Sequence, residues 1–255
     1  MLITLPMYDY PELASATEAW ARAIAQHAGY DLGLSRLDDY ASAWSRGDLL
    51  FSQTCGYPFT HAFRNRLSLI GTPHYAVPGC HDFHYTSMVF AREERSLPDY
   101  RGTVAAINTP DSMSGMLALK SVFAGLAPDG RFFGRTILTG GHLKSLAALQ
   151  RGEADVCAID AVCVAYVRRY RPELLAGLAA IAETPPVPGL PYVTCSHDLR
   201  RWREAVASAM ADPALAETRP ALMIGGFTAT SQSDYGAILD LEAAIEARGG
   251  LRLLD

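Results

Sequence analysis

Asn108-Thr109-Pro110-Asp111-Ser112-Met113-Ser114-Gly115 joins a strand-like run, Thr103–Ile107, to a helix-like run, Met116–Gly125. The strand-like run is apolar and β-branched. In the following run, Met116, Leu117, Leu119, Val122 and Phe123 recur at helical spacing, and Gly125 is a natural stop. The turn between them puts two hydroxyls and a glycine at a helix start. Unpaired backbone N–H groups and the positive end of the peptide dipole point out of a helix there. Such a turn can hold a small anion. The same residue types also serve as ordinary helix caps, which satisfy those N–H groups with no ligand at all.

The same join recurs along the chain. Ile3–Met7 reads as a strand and Pro11–Ala28 as a long helix, with Leu13, Ala16, Trp20, Ala23 and Ile24 on one face and Gly29 as its stop. Asp31–Leu37 reads as strand, Asp38–Arg46 as a short helix, and Asp48–Thr54 as strand. The turn Cys55–Pro58, a helical stretch Phe59–Phe63 and a strand Arg66–Thr72 follow. Pro73–His84 has no periodicity and reads as a connection. The alternation then resumes: strands Tyr85–Ala91 and Thr103–Ile107, helix Ser114–Ala124, strand Arg135–Thr139, helix His142–Gln150. Strand Asp155–Ile159, helix Ala161–Arg169 and strand Leu178–Ala182 complete that section. A second break, Thr184–Pro191, carries four prolines in eight residues. Strand Tyr192–Cys195, helix Leu199–Ala211, a loop over Pro213–Gly226 and helix Asp234–Arg248 finish the chain. Alternation of strand and helix predicts parallel sheets covered on both faces. Two breaks predict two lobes, 83–189 inserted into 1–82 plus 190–255, with a cleft between them where strand C-ends and helix N-ends point.

Composition narrows the function. The chain of 255 residues is 49% hydrophobic with a net charge of −5, so it can bury a full core, and no basic run suits nucleic acid. No apolar run is long enough to enter a membrane. The first residues lack a basic region, a long apolar region and a cleavage site, so they read as a strand. Location follows from where the chain starts: cytoplasmic if Met1 is the true start, periplasmic if a leader precedes it. The five cysteines form neither a disulfide scaffold nor a CxxC pair, and Cys157 and Cys163 read as small buried hydrophobes. His74, Cys80, His81, Asp82 and His84 are zinc-type ligands at no zinc-type spacing, so no metal is expected. Cys55 with His61 lacks an oxyanion turn and anything to lower the thiol pKa, so no nucleophile is expected either.

The candidates for binding are therefore the strand–helix junctions: Ser112–Gly115, Thr139–His142 with Ser145, and Asp160, with Tyr85 and Ser87 opening their own strand. In the first lobe Tyr8 and Asp9 end one strand, and Thr54, Cys55 and Tyr57 end another. Backbone N–H groups and the hydroxyls of Ser112 and Ser114 suit a tetrahedral oxyanion, and His142 can donate to a further oxygen. Asp160 repels a fully ionised guest, so it suits a protonated oxygen, an amino group on the ligand, or the orienting of His142.

Tyr85-x-Ser87, then Asp111-Ser112-x-Ser114-Gly115, then Gly141-His142-x-x-Ser145-Leu146-x-Ala148-Leu149-x-x-Gly152-x-Ala154-Asp155-Val156-x-Ala158-Ile159-Asp160 resembles the phosphonate, phosphate and phosphite-binding proteins of ABC importers. Ser233-Asp234-Tyr235 before the last helix is similar too. The resemblance implies an α/β, two-lobed type 2 periplasmic-binding-protein fold, each lobe a sheet flanked by helices. It implies that Tyr85, Ser112, Met113, Ser114, Gly115, His142 and Asp160 bind the ligand, with Tyr8, Cys55 and Tyr57 closing from the other lobe. Met113 stands where such binders commonly carry a hydroxyl residue. The implied function is closure over phosphonate, phosphite or phosphate, without catalysis or cofactor, for an ABC permease or a regulatory protein. The alternative is a cytoplasmic enzyme on the same fold, similar to menaquinone-pathway members, with His142 and Asp160 as an acid–base pair.

Overall fold

The computed structural model describes residues 1–37 and 39–254. In chain order its regular elements begin with β1 (Leu2–Thr4), α1 (Ala14–His27), α2 (Tyr40–Trp44), β2 (Leu49–Gln53), α3 (Gly56–Thr60) and β3 (Ser68–Tyr75). Then come β4 (Cys80–His81), β5 (His84–Tyr85), β6 (Ser87–Ala91), β7 (Val104–Ile107), α4 (Ala118–Phe123), β8 (Arg135–Leu138) and α5 (His142–Gln150). The series closes with β9 (Val156–Asp160), α6 (Ala161–Tyr170), β10 (Ala179–Glu183), β11 (Val187–Pro188), β12 (Tyr192–Thr194), α7 (Leu199–Ala211), α8 (Thr218–Ala221), β13 (Ile224–Thr228) and α9 (Gly236–Ala247).

The chain divides into two compact units: residues 1–76, 81–84 and 188–236, and residues 77–80, 85–187 and 237–255. The first holds a five-stranded sheet in the order β1-β2-β12-β3-β13. Its core is aromatic. Phe51 of β2 lies against Tyr192 and Trp202, and the Trp20 indole N–H of α1 donates to the Tyr192 hydroxyl at 3.0 Å. Trp20, Phe51, Tyr192 and Trp202 are all fully buried, each a contribution of about 1.5–3 kcal/mol. The second unit holds a five-stranded sheet in the order β10-β6-β9-β7-β8. Every residue of β9 is buried, as a strand covered on both faces requires. Phe123 of α4 meets Phe132 and Phe133, each at 5.0 Å.

Both sheets are mixed rather than parallel. In the first unit β12 runs antiparallel between β2 and β3, and β13 runs antiparallel to β3. In the second, β6 is antiparallel to both β10 and β9. β6 and β12 each follow a prolyl or short-strand connection with no crossover helix, and only parallel neighbours need such a helix.

Other corrections have local causes. Asp31–Leu37 forms no strand: Ser35 N–H reaches Ile3, but Leu34 N–H is taken by the Glu18 carboxylate instead of a ladder. The helix expected from Asp38 runs over Tyr40–Trp44, capped by Asp39; Asp38 itself lies outside the described residues. Cys55–Pro58 is the start of α3, because Pro58 falls in the first turn, where no N–H is needed. Pro73 lies inside β3, paired with Phe227 of β13, in what reads as a connection. β13 itself is hidden in sequence by Gly225 and Gly226, poor strand formers. Gly226 is there because a Cβ would come within 2.7 Å of the His74 ring. Residues 237–255 group with the second unit, not with 190–236: Arg252 N–H donates to the Gly130 carbonyl at 2.9 Å, and Leu251 and Leu253 are buried.

Candidate functional site

In the second unit β7 is parallel to both of its neighbours, β9 and β8. Three strand C-ends therefore emerge side by side, and each leads into a helix start. This is where α/β sheets bind ligands.

After β7 the chain enters the turn at Ser112. Its backbone is extended, and its Oγ accepts the Gly115 N–H at 3.0 Å. Its carbonyl accepts from both Met116 and Leu117, so the helix opens with a wide π-turn over Met113–Leu117 before tightening into α4. Such wide turns are frequent at functional sites. A Cβ at 115 would lie 1.9 Å from Asn108 Oδ1, so any other residue there forces the Asn108 side chain out of its place. After β8, Thr139 and Gly140 donate their N–H groups to the Ile107 and Asn108 carbonyls, which ties this loop to the first. Gly140 takes a φ of +79°, and His142 opens α5. Thr139 Oγ1 and Ser145 Oγ are hydrogen-bonded at 2.7 Å.

These two junctions meet in one contact: Ser114 Oγ lies 2.8 Å from His142 Nε2. After β9, Asp160 Oδ1 accepts the N–H groups of Val162 and Cys163 at 2.7 and 3.0 Å, capping α6. His142, Asp160 and Cys163 bring one ligand-type atom each to within 4.8 Å of one another. Ser112, Met113, Ser114, Gly115, Tyr85 and Asp160 are all buried, Asp160 to 1% exposure. Burial pushes the His142 pKa down to about 4, against a weaker opposing effect of the Ala158 backbone. The imidazole is neutral at pH 7, so it contributes hydrogen bonds and no cationic charge.

Tyr8, Cys55 and Tyr57 belong to the first unit. Tyr8, at a φ of +61°, lies edge-on to Tyr75 at 5.2 Å. Cys55 occupies the position before α3 without a side-chain capping bond, and Tyr57 stacks on His61 at 3.9 Å. His61 Nδ1 lies 2.9 Å from the Tyr57 carbonyl and 3.0 Å from Thr60 Oγ1, bonds local to α3. Among the described residues, no three of the zinc-type side chains before β6 come together. His74 bonds Thr228 at 2.7 Å, and the exposed His81 pairs with Asp82. Residues missed from sequence are Asn108, which dictates Gly115, and Cys163. The latter is buried as expected, but three positions after Asp160 it falls on the first turn of α6 beside the cap.

Among curated proteins none matches this sequence. Among solved structures, the binding-protein component of an ABC phosphonate transporter from Pseudomonas aeruginosa superposes with a TM-score of 0.79 at 18% identity, covering 98% of this chain and 87% of that one. PhnD1 from Prochlorococcus marinus, in complex with methylphosphonate, gives 0.76 at 14% identity over 96% and 98%. A Xanthomonas citri protein bound to ATP gives 0.70 at 18% identity over 97% and 98%. No helix among the described residues is long and apolar enough to cross a membrane. The sequence model described as ABC transporter, phosphonate, periplasmic substrate-binding protein matches residues 2–235, so the chain belongs to that family of substrate-binding proteins, and not to the enzymes on related folds.

Proposed function

We propose that this protein binds a compound carrying a tetrahedral phosphorus oxyanion, a phosphonate first among them, and delivers it to an ABC permease in the periplasm. The observation that carries this reading is the 2.8 Å contact of Ser114 Oγ with His142 Nε2, made where three parallel strands end. With Nε2 protonated, the neutral imidazole donates to Ser114 and leaves the serine O–H to donate onward to a guest oxygen. Ser112 Oγ, which accepts the Gly115 N–H, keeps its own O–H as a donor from the same loop. Among proteins with this fold, one is bound to methylphosphonate and one to ATP. The group those two ligands share is the phosphorus oxyanion.

Asp160 refines the ligand. A buried carboxylate beside the turn opposes a dianion and favours a guest with one protonated oxygen or an amino group. Calorimetric titration with methylphosphonate, an aminoalkylphosphonate, phosphite, phosphate and an alkylsulfonate tests this. Binding of at least one phosphorus compound, with the sulfonate weaker, is expected. Equal indifference to all five would remove the reading.

A further inference from the structure

We propose that His142, Asp160 and Cys163 form a binding site for a zinc-class divalent cation. Imidazole, carboxylate and thiolate are the three ligand types zinc takes, and here they come from two helix starts at the end of one sheet. Asp160 is 1% and Cys163 5% exposed, so the site is built into the unit rather than scattered over its surface. The imidazole supplies an independent pointer. His142 Nδ1 is buried and makes no hydrogen bond of full geometry, the Ala158 backbone acting on the ring only weakly, while Nε2 is held by Ser114 Oγ at 2.8 Å. A histidine that ligates a metal through one nitrogen characteristically donates its other N–H to a fixed oxygen, which sets ring orientation and tautomer. Ser114 fills that place.

Zinc–ligand bonds of about 2.0–2.3 Å put tetrahedral ligand atoms about 3.3–3.8 Å apart, so a trio now within 4.8 Å closes by about 1 Å on binding. The Cys163 thiol gives its proton to solvent as the metal–sulfur bond forms; His142 binds neutral and Asp160 as the carboxylate. Zinc plus one thiolate and one carboxylate is a neutral group. The cation thereby cancels the Asp160 charge that opposes an oxyanion at Ser112 and Ser114.

Zinc is titrated into the chelator-treated full chain with no anion present, in buffers of different ionisation enthalpy. One zinc per chain and about one proton released are expected. Cobalt in place of zinc is expected to give a thiolate-to-metal absorption band, read on the wild-type chain and so independent of any variant folding. Cys163→Ala is expected to abolish the band and weaken zinc by at least about a hundredfold, while Cys157→Ala changes neither. Absence of the band, or equal zinc affinity in wild type and Cys163→Ala, overturns the site. Cys163 makes none of the proposed anion contacts, so the five anion titrations run in parallel separate the two readings. Zinc binding with indifference to all five anions leaves this site standing and removes the other reading; binding of a phosphorus compound without zinc does the reverse.

Discussion

In the second unit β9, β7 and β8 lie side by side and parallel, and their C-ends deliver a hydrogen-bonded serine and histidine with an aspartate close beside the histidine. In the first unit β1 and β2 are also parallel, but β12 runs antiparallel between β2 and β3. The C-ends of β1, β2 and β3 still point one way, and what they carry is aromatic or amide: Tyr8 against Tyr75, with Gln53 donating to the Tyr75 hydroxyl at 3.1 Å. One edge offers directed donors, the other offers rings. Directed donors set a charged guest's position to within a fraction of an ångström; aromatic faces tolerate variety. Mutations in the second unit should therefore be costly and specific, and those in the first mild.

The largest effect is expected at Gly115. Its missing Cβ would sit 1.9 Å from Asn108 Oδ1, so Gly115→Ala should destabilise the protein by roughly 3 kcal/mol and abolish oxyanion binding. Thermal unfolding reads this, and adding Asn108→Gly should recover much of the loss. An undisturbed melting temperature in the single variant would break the steric account of the turn. Next is Ser114→Ala, expected to weaken the best phosphorus ligand by about 1–3 kcal/mol, because a charged oxygen loses its donor. Calorimetry giving an unchanged Kd would place the guest elsewhere.

Third is pH. The fold keeps His142 neutral, with a pKa about 4 against an ordinary 6.5, so the unfolded chain takes up the proton more readily. Its contribution to stability is whole above about pH 6.5 and falls as pH drops towards 4, by at most about 3 kcal/mol, less for the ring's partial exposure. Chemical denaturation at pH 7 and 4.5 should show that loss in the wild type and a smaller one in His142→Gln. Equal losses would mean other groups carry the dependence. The smallest effect belongs to the first unit. Tyr57→Phe keeps the ring stacked on His61 and should change Kd less than about threefold, within 0.7 kcal/mol. A tenfold change would erase the contrast between the two edges.

Much of this was legible in the chain itself. Helical spacing marked α5 and α7 over the residues where they stand, because amphipathic periodicity is a local property written residue by residue. Ser112, His142 and Asp160 were legible as junction residues for the same reason: a cap is a short-range necessity of every helix start. Local signals could not show that β12 and β6 turn antiparallel, that Gly226 makes room for His74, or that the last residues join the second unit through Arg252 and Gly130. Nor could they bring Ser114 within 2.8 Å of His142, 28 residues on, or set Cys163 beside both His142 and Asp160. Those pairings depend on which strands become neighbours. That is settled by burying apolar surface across the whole sheet, a sum to which no stretch of sequence contributes alone.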